Sequence, residues 1–271
     1  MRFLISGGAG YIGSTVAHYL IDRGHEVTIV DNLLNGFRRN IPKKATFFKI
    51  DISDTKKLNN IFLIKKFDFV FHFAALINNE ESLKYPKKYF KNNYEKGKIF
   101  FQCCIKNNLT NIIYSSTAAV YGNRLKKVDE NDLLNPISPY SRSKLKLENF
   151  LKKNKEKINC IILRYFNVAG TDIKYRCGFN INNKYNLILN LCAACIKNKK
   201  FVINGDKFKT KDGTTIRDFI HVLDLAQIHV LLAKKLYKKK TFKIFNCGYG
   251  QGSSVREILN KFIFIKRKKI K

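Results

Sequence analysis

The chain has 271 residues, enough to bury a full core as one large α/β domain or as a nucleotide domain with a smaller companion. Its 52 basic and 20 acidic residues give a formal net charge of +32, but the lysines spread over nearly every expected helix face and loop, so no dedicated nucleic-acid site is expected beyond non-specific polyanion binding at low salt. Seven scattered cysteines suit a reducing compartment, no stretch approaches a membrane span, and no secretion signal precedes the first strand, so a cytoplasmic protein is expected.

The apolar run Phe3-Leu4-Ile5, then Gly7-Gly-Ala-Gly10-Tyr11-Ile12-Gly13, then Val16, Tyr19 and Leu20 reads as strand, glycine turn and helix. The glycines allow a sharp turn, a close ligand and tight helix packing, while the helix start offers unpaired N–H groups to a pyrophosphate. A second strand, Glu26 to Val30, ends in Asp31-Asn32. A carboxylate there accepts hydrogen bonds from ribose hydroxyls and repels a 2′-phosphate, which favours NAD over NADP.

A third strand, Ala45 to Ile50, leads to Asp51-Ile52, where Asp51 is placed to face the adenine amino group, to cap the helix heralded by Ser53 and Asp54, or to do both. The run Phe67 to Phe73 predicts a central parallel strand ending at Ala74-Ala75, small residues beside which a cofactor can lie. His72 within that run is expected to be a satisfied core histidine. Tyr85 to Asn107 reads as one long helix carrying Asn92-Asn93.

The strand from Asn111 to Tyr114 opens into Ser115-Ser-Thr117-Ala118-Ala119-Val-Tyr-Gly122, hydroxyl residues at the end of a strand that faces a ligand crevice. Strands alternating with helices predict a doubly wound parallel sheet. Pro139-Tyr140-Ser-Arg-Ser-Lys144 opens a further helix with Tyr140 and Lys144 one turn apart on one face, where an ammonium would favour the phenolate. Downstream, Cys192-x-x-Cys195 lacks a second pair or a nearby His to complete four ligands, so no metal is expected.

The glycine motif, Ser115–Gly122, Tyr140-x-x-x-Lys144, Arg164-Tyr-Phe-Asn-Val-Ala-Gly170 and Asp212-Gly-Thr-Thr-Ile-Arg-Asp-Phe-Ile-His-Val222 together resemble the extended short-chain dehydrogenase/reductase family, in particular its UDP-glucose 4-epimerases, from Met1 to about Gly252. The resemblance implies a Rossmann domain over 1–166, with a seven-stranded parallel sheet, and a smaller UDP-sugar domain over 167–271, some of whose segments return to the sheet. It implies that Thr117, Tyr140 and Lys144 are catalytic, with Thr standing where many members have Ser. The cofactor positions it implies are Gly7, Gly10, Tyr11, Ile12, Gly13, Asp31, Asn32, Asp51, Ile52, Phe73, Ala74, Ala75, Asn93, Ser115, Tyr140, Lys144 and Tyr165.

Substrate positions implied in the same way are Thr117, Asn167, Asn186, Leu187 and Arg217, with Val202 to Asn204 near the uracil and a possible homodimer through the helices near 85–107 and 140–155. Arg217 is a fork for the diphosphate, its alternative being an ion pair with Asp218 or Asp224. Related dehydratases carry an Asp-Glu pair where this chain has Ala118-Ala119, so the implied reaction is interconversion of UDP-glucose and UDP-galactose by transient oxidation at C4, sugar rotation and hydride return. The alternatives are another NAD-dependent sugar-nucleotide epimerase, or a noncatalytic nucleotide-binding remnant. The last follows from the end of the chain, Phe262 to Lys271, a basic tail after which the family continues with further substrate-domain elements, an Arg-Arg-x-Gly-Asp segment among them; the tail reads as a truncation or frameshift product or as an exposed lysine-rich end.

Overall fold

The computed structural model describes residues 1–124, 126–179, 186–197, 200–238 and 240–266. Each residue of Phe3-Leu4-Ile5 in β1 (Arg2–Ser6) is 0% exposed, the condition of a strand covered on both faces. Phe3 and Ile5 point to one helical layer and Leu4 to the other, as the two-residue period of a strand requires.

The chain continues through α1 (Tyr11–Ile21), β2 (Glu26–Asp31), β3 (Thr46–Lys49), α2 (Thr55–Ile64) and β4 (Phe69–His72). It then forms α3 (Asn79–Lys84), α4 (Pro86–Tyr89), α5 (Lys96–Lys106), β5 (Asn111–Thr117), α6 (Pro139–Lys153) and β6 (Asn159–Tyr165). The remaining elements are β7 (Asn167–Ala169), α7 (Leu187–Lys197), β8 (Ile216–His221), α8 (Val222–Lys238), β9 (Phe242–Cys247), β10 (Gly252–Ser254) and α9 (Val255–Lys266). Seven strands pair in the order β3-β2-β1-β4-β5-β6-β9, every pairing parallel. Three others form a small sheet, β10-β8-β7.

Val16, Ala17 and Leu20 of α1 and Leu225, Ala226, Val230 and Ala233 of α8 cover one face of the large sheet. Leu58, Ile61 and Phe62 of α2, Phe100, Phe101 and Cys104 of α5, and Leu147 and Leu151 of α6 cover the other. Truncating Leu20, Leu225, Leu58, Ile61, Leu147 or Leu151 to alanine should cost about 2–5 kcal/mol, because a close-packed interior relaxes only partly around a cavity.

Two expectations are corrected. Residues 1–166 supply six strands of the large sheet, and the seventh, β9, comes from the second half of the chain and pairs with β6. The helix expected over Tyr85 to Asn107 is interrupted: α4 and α5 are joined by a π turn, Phe90–Glu95. Such a bulge re-aims a side chain, here Asn93, which is 1% exposed. The apolar end beginning at Phe262 extends α9 as far as Lys266, and the basic residues 267–271 lie outside the described residues.

Candidate active site

The strand order reverses between β1 and β4, and open α/β sheets bind ligands at the crevice beyond the strand ends at such a point. The glycine turn fills that position. Gly7 has φ +75°, and a Cβ built on it would stand 2.4 Å from the backbone N of Ala74, so glycine is required on both counts. A Cβ on Gly13 would stand 2.4 Å from the Gly7 carbonyl oxygen, so α1 packs on the turn only without a side chain there.

Gly10 is the N-cap of α1, gives no side-chain hydrogen bond to the helix, and would bring a Cβ within 4 Å only of the Gly7 oxygen, at 3.4 Å. The first-turn N–H groups therefore have room for an anion and no capping side chain to compete with it. Ile12 packs against the core, while Tyr11 stacks on Phe179 with centroids 3.7 Å apart and donates to the Gly170 carbonyl at 2.7 Å.

At the end of β2 the Asp31 carboxylate accepts from the Ala9 N–H at 3.0 Å and the Leu33 N–H at 2.7 Å. Burial raises its pKa and these bonds draw it back. Asp51 is engaged by Lys96 at 2.5 Å, Ser53 Oγ at 2.7 Å and Asn32 Nδ2 at 3.1 Å. Burial opposes its ionisation, but Lys96, Ser53 and Asn32 outweigh it and hold Asp51 at about 2. The cap of α2 is Asp54, which accepts from Lys57 N, so Asp51 is not that cap; Lys96 is a partner that sequence reasoning missed. Ile52 is buried in the core beside it.

Across the crevice, Phe73, Ala74 and Ala75 continue from β4 and are partly exposed. Asn93 fixes this segment: its Oδ1 accepts from Leu76 N at 2.8 Å, and its Nδ2 donates to Leu76 O at 2.9 Å and to Ser143 Oγ at 3.2 Å. Ser115 Oγ donates to the His72 carbonyl at 2.8 Å. His72 is a core residue, with Nδ1 2.7 Å from Ser6 Oγ and its ring against Phe100 and Phe101; burial pushes its pKa well down.

The start of α6 is set by sequence. Ser138 caps it, with Ser141 N donating to Ser138 Oγ at 3.1 Å and Ser138 N to Ser141 Oγ at 3.2 Å, and Pro139 takes the first helical position. Tyr140 follows at once, packed with Leu76, Tyr89 and Ala119. Burial raises its pKa and a hydrogen bond with the Thr117 side chain lowers it, so Thr117 rather than Lys144 is the group seen drawing the phenol down.

Lys144, 3% exposed, lies with Nζ 4.6 Å from the centroid of the Tyr114 ring. Burial drops its pKa to about 7, against a raising influence from Glu148. Glu148 itself is paired with Arg164, whose Nη2 lies 2.8 Å from its Oε2. Tyr165, next in the chain, has its hydroxyl 2.7 Å from His229 Nε2. Burial holds His229 at about 4, hence neutral, and its Nδ1 faces the Leu225 carbonyl at 2.8 Å. That carbonyl needs a donor, so Nδ1 carries the proton and Nε2 accepts from Tyr165.

Of the other expected substrate residues, Asn167 and Arg217 lie in the smaller sheet and Asn186 and Leu187 at the start of α7. Asn167 in β7 donates to the Asp218 carbonyl at 2.9 Å. Asn186 precedes α7 and accepts from Leu189 N at 3.0 Å, while Leu187 is the first residue of that helix. Arg217 is exposed on β8 opposite Ser253. Neither carboxylate suggested for it is its partner: Asp218 accepts from Tyr249 N and Gly250 N, and Asp224 from the Tyr249 hydroxyl. Val202 and Asn204 are exposed. Among the described residues no group of three or more His, Cys, Asp or Glu is placed to hold a metal ion, and no helix is long and apolar enough to cross a membrane.

Sequence reasoning missed Glu148 and His229. Glu148 had a signal, four residues beyond Lys144 on the same face; His229 had only helical spacing.

Fold and site together define a dinucleotide-binding α/β protein, with the glycine turn at the sheet's switch point and Thr117, Tyr140 and Lys144 at the end of β5 and in the first turns of α6. The chain belongs to the NAD dependent epimerase/dehydratase family, whose model matches residues 3–248. It is 38% identical over 263 residues to a UDP-glucose 4-epimerase of Lactobacillus helveticus, covering 96% of this chain and 80% of that protein. A crystal structure of a UDP-glucose 4-epimerase matches with a TM-score of 0.95 and 33% identity, covering 100% of this chain and 84% of the other. A UDP-glucose 4-epimerase of Stenotrophomonas maltophila, with bound NAD and formylated UDP-arabinopyranose, matches with a TM-score of 0.95, 31% identity and the same coverage.

Proposed function

We propose that this protein interconverts UDP-glucose and UDP-galactose with NAD as a resident cofactor. The observation that carries this reading is Tyr140, placed by the α6 cap at the crevice, hydrogen-bonded to Thr117 and one turn from the buried Lys144. The glycine turn fits a dinucleotide: the capless start of α1 would receive its pyrophosphate and Asp31 its adenosine ribose. When bound, NAD supplies the acceptor and donor of the hydride at C4 of the sugar.

Tyr140 takes the proton from the sugar 4-hydroxyl and returns it, so its pKa governs the step. Thr117 hydrogen-bonds the phenol and orients the reacting oxygen. Lys144, where charged, would stabilise the phenolate and help to hold the nicotinamide ribose. Ala118 and Ala119 offer no carboxyl group to expel water, which favours epimerisation over dehydration. The 4-keto sugar, held by its UDP end, turns its other face before the hydride returns. Asn167, Asn186, Leu187 and Arg217 would hold the UDP end, with Arg217 turned to the diphosphate rather than to an acidic neighbour. The same reading includes a homodimer through α4, α5 and α6, which light scattering on the purified protein would test.

Incubation with UDP-galactose, followed by NMR of the sugar anomeric protons, tests the proposal. UDP-glucose should appear to an equilibrium reached from either sugar, with no net reduction of cofactor. Failure of a protein that carries NAD to interconvert them would remove the sugar assignment.

A further inference from the structure

Beneath the catalytic residues lies a buried ion pair that the reaction scheme does not use. Glu148 and Arg164 are 3% and 2% exposed, on α6 and β6 respectively. Two contacts join them, Nη2 to Oε2 at 2.8 Å and Nε to Oε1 at 3.3 Å, and Ser116 Oγ donates to the same Oε1. Arg164 Nη1 donates to the Tyr121 hydroxyl at 2.8 Å and the Glu130 carbonyl at 3.2 Å, and that hydroxyl donates to Asn246 Oδ1 at 2.7 Å. The pair and the groups bonded to Arg164 thus link four elements: α6, β5 with the turn after it, β6 and β9.

The members of this network are neighbours in sequence of the reacting groups. Ser116 precedes Thr117, Arg164 precedes Tyr165, and Glu148 stands one turn beyond Lys144, which stands one turn beyond Tyr140. A buried pair of this kind is a poor source of stability, because its desolvation offsets its attraction, so its use is more readily found in geometry and charge. The groups facing Lys144 from the packed elements are Tyr140 and Glu148 on its own helix, His72 on β4 and Tyr114 on β5. His72 is neutral, being pushed down by burial, and both phenols are pushed up, so Glu148 is the anion that favours an ammonium there.

We infer that Glu148 is a positioning residue for the proposed epimerisation: held by Arg164 and Ser116, it fixes the Tyr140–Lys144 face of α6 against the ends of β5 and β6 and places its carboxylate one helical turn from the Lys144 amine. The inference rests on the proposed function for its kinetic consequence, but its structural consequence is read without substrate.

The test uses the full chain with ¹³Cε-labelled lysine and the variants Glu148→Gln and Glu148→Asp. Lys144, assigned by the signal missing in Lys144→Arg, should titrate near neutrality in the parent and at lower pH in Glu148→Gln, by about one unit. Glu148→Asp should restore the parent value in part. In the epimerase assay Glu148→Gln should lose about tenfold or more in kcat with KM changed less than about twofold, and its alkaline limb should move to lower pH. If Glu148→Gln does not fold, Glu148→Asp, which keeps the charge but draws the carboxylate back by one methylene, should shift Lys144 in the same direction by a smaller amount. An unshifted Lys144 in whichever variant folds, or an unchanged kcat, overturns the inference. A parent chain without epimerase activity whose Lys144 still shifts would refute the sugar assignment and leave Glu148's control of Lys144 standing.

Discussion

The carboxylate of Asp31 accepts a 3.0 Å hydrogen bond from the backbone N–H of Ala9, tying the end of β2 to the middle of the glycine turn. The group that would receive the adenosine ribose is therefore held by the same loop that would receive the pyrophosphate. Its second oxygen holds Leu33 N, at a residue whose φ of 61° lies in the left-handed region. Asp31→Asn removes the charge that repels a 2′-phosphate, so the ratio of NADP to NAD affinity should rise by about tenfold or more, roughly 1.4 kcal/mol. Fluorescence titration with both cofactors measures it; an unchanged ratio would place the ribose elsewhere.

Gly10→Ala separates folding from binding. Gly10 has φ −76° and ψ 172°, which alanine adopts freely, and its Cβ would meet only the Gly7 oxygen, at 3.4 Å. Melting of the cofactor-free chain should barely move. The methyl group would instead occupy the space assigned to the pyrophosphate, and NAD affinity should fall on the order of tenfold or more. Calorimetric titration showing parent affinity would contradict that placement.

Tyr140→Phe removes one oxygen and keeps the ring that packs on Leu76, Tyr89 and Ala119. Epimerisation should fall by about 10²–10⁴-fold with NAD retained, the range expected for loss of a positioned acid–base group. Thr117→Val should cost less, since it leaves the phenol in place. Turnover of the Phe variant at the parent rate would assign the proton transfer to another residue.

Lys144 gives stability a pH dependence whose sign is fixed. Its pKa is about 7 in the folded chain against 10.5 unperturbed, so between those values the unfolded chain binds more protons and stability rises with pH. Below about 7 the folded protein bears the full cost of a buried ammonium. Lys144→Met should raise the melting temperature of the cofactor-free chain at about pH 6, with the gain shrinking toward about pH 9. An equal gain at both values would mean that Lys144 keeps its proton in the folded state across that range, so that burial does not lower its pKa.

The nucleotide half was the legible half. Apolar runs covered on both sides gave β1, β4 and β5, and the strict spacing of Gly7, Gly10 and Gly13 gave the turn, because sterics there admit little else. The smaller sheet was not legible: β7 and β10 have three residues each, too short to show a period, and β8 begins with the exposed Ile216 and Arg217. The π turn escaped because its cause lies outside the helix, in the Leu76 backbone that Asn93 serves. Asp51 illustrates the limit of reading a site from spacing, since its partner Lys96 is 45 residues away and reaches it only through packing of α5.

The central claim is that hydride leaves and returns at the same carbon. UDP-galactose carrying deuterium at C4, incubated with the purified protein, tests it directly, with deuterium NMR and mass spectrometry of the products. The account predicts UDP-glucose with deuterium retained at C4 and the configuration there inverted. Deuterium found at C6 of a product that has lost water, or washed out into solvent, would contradict it.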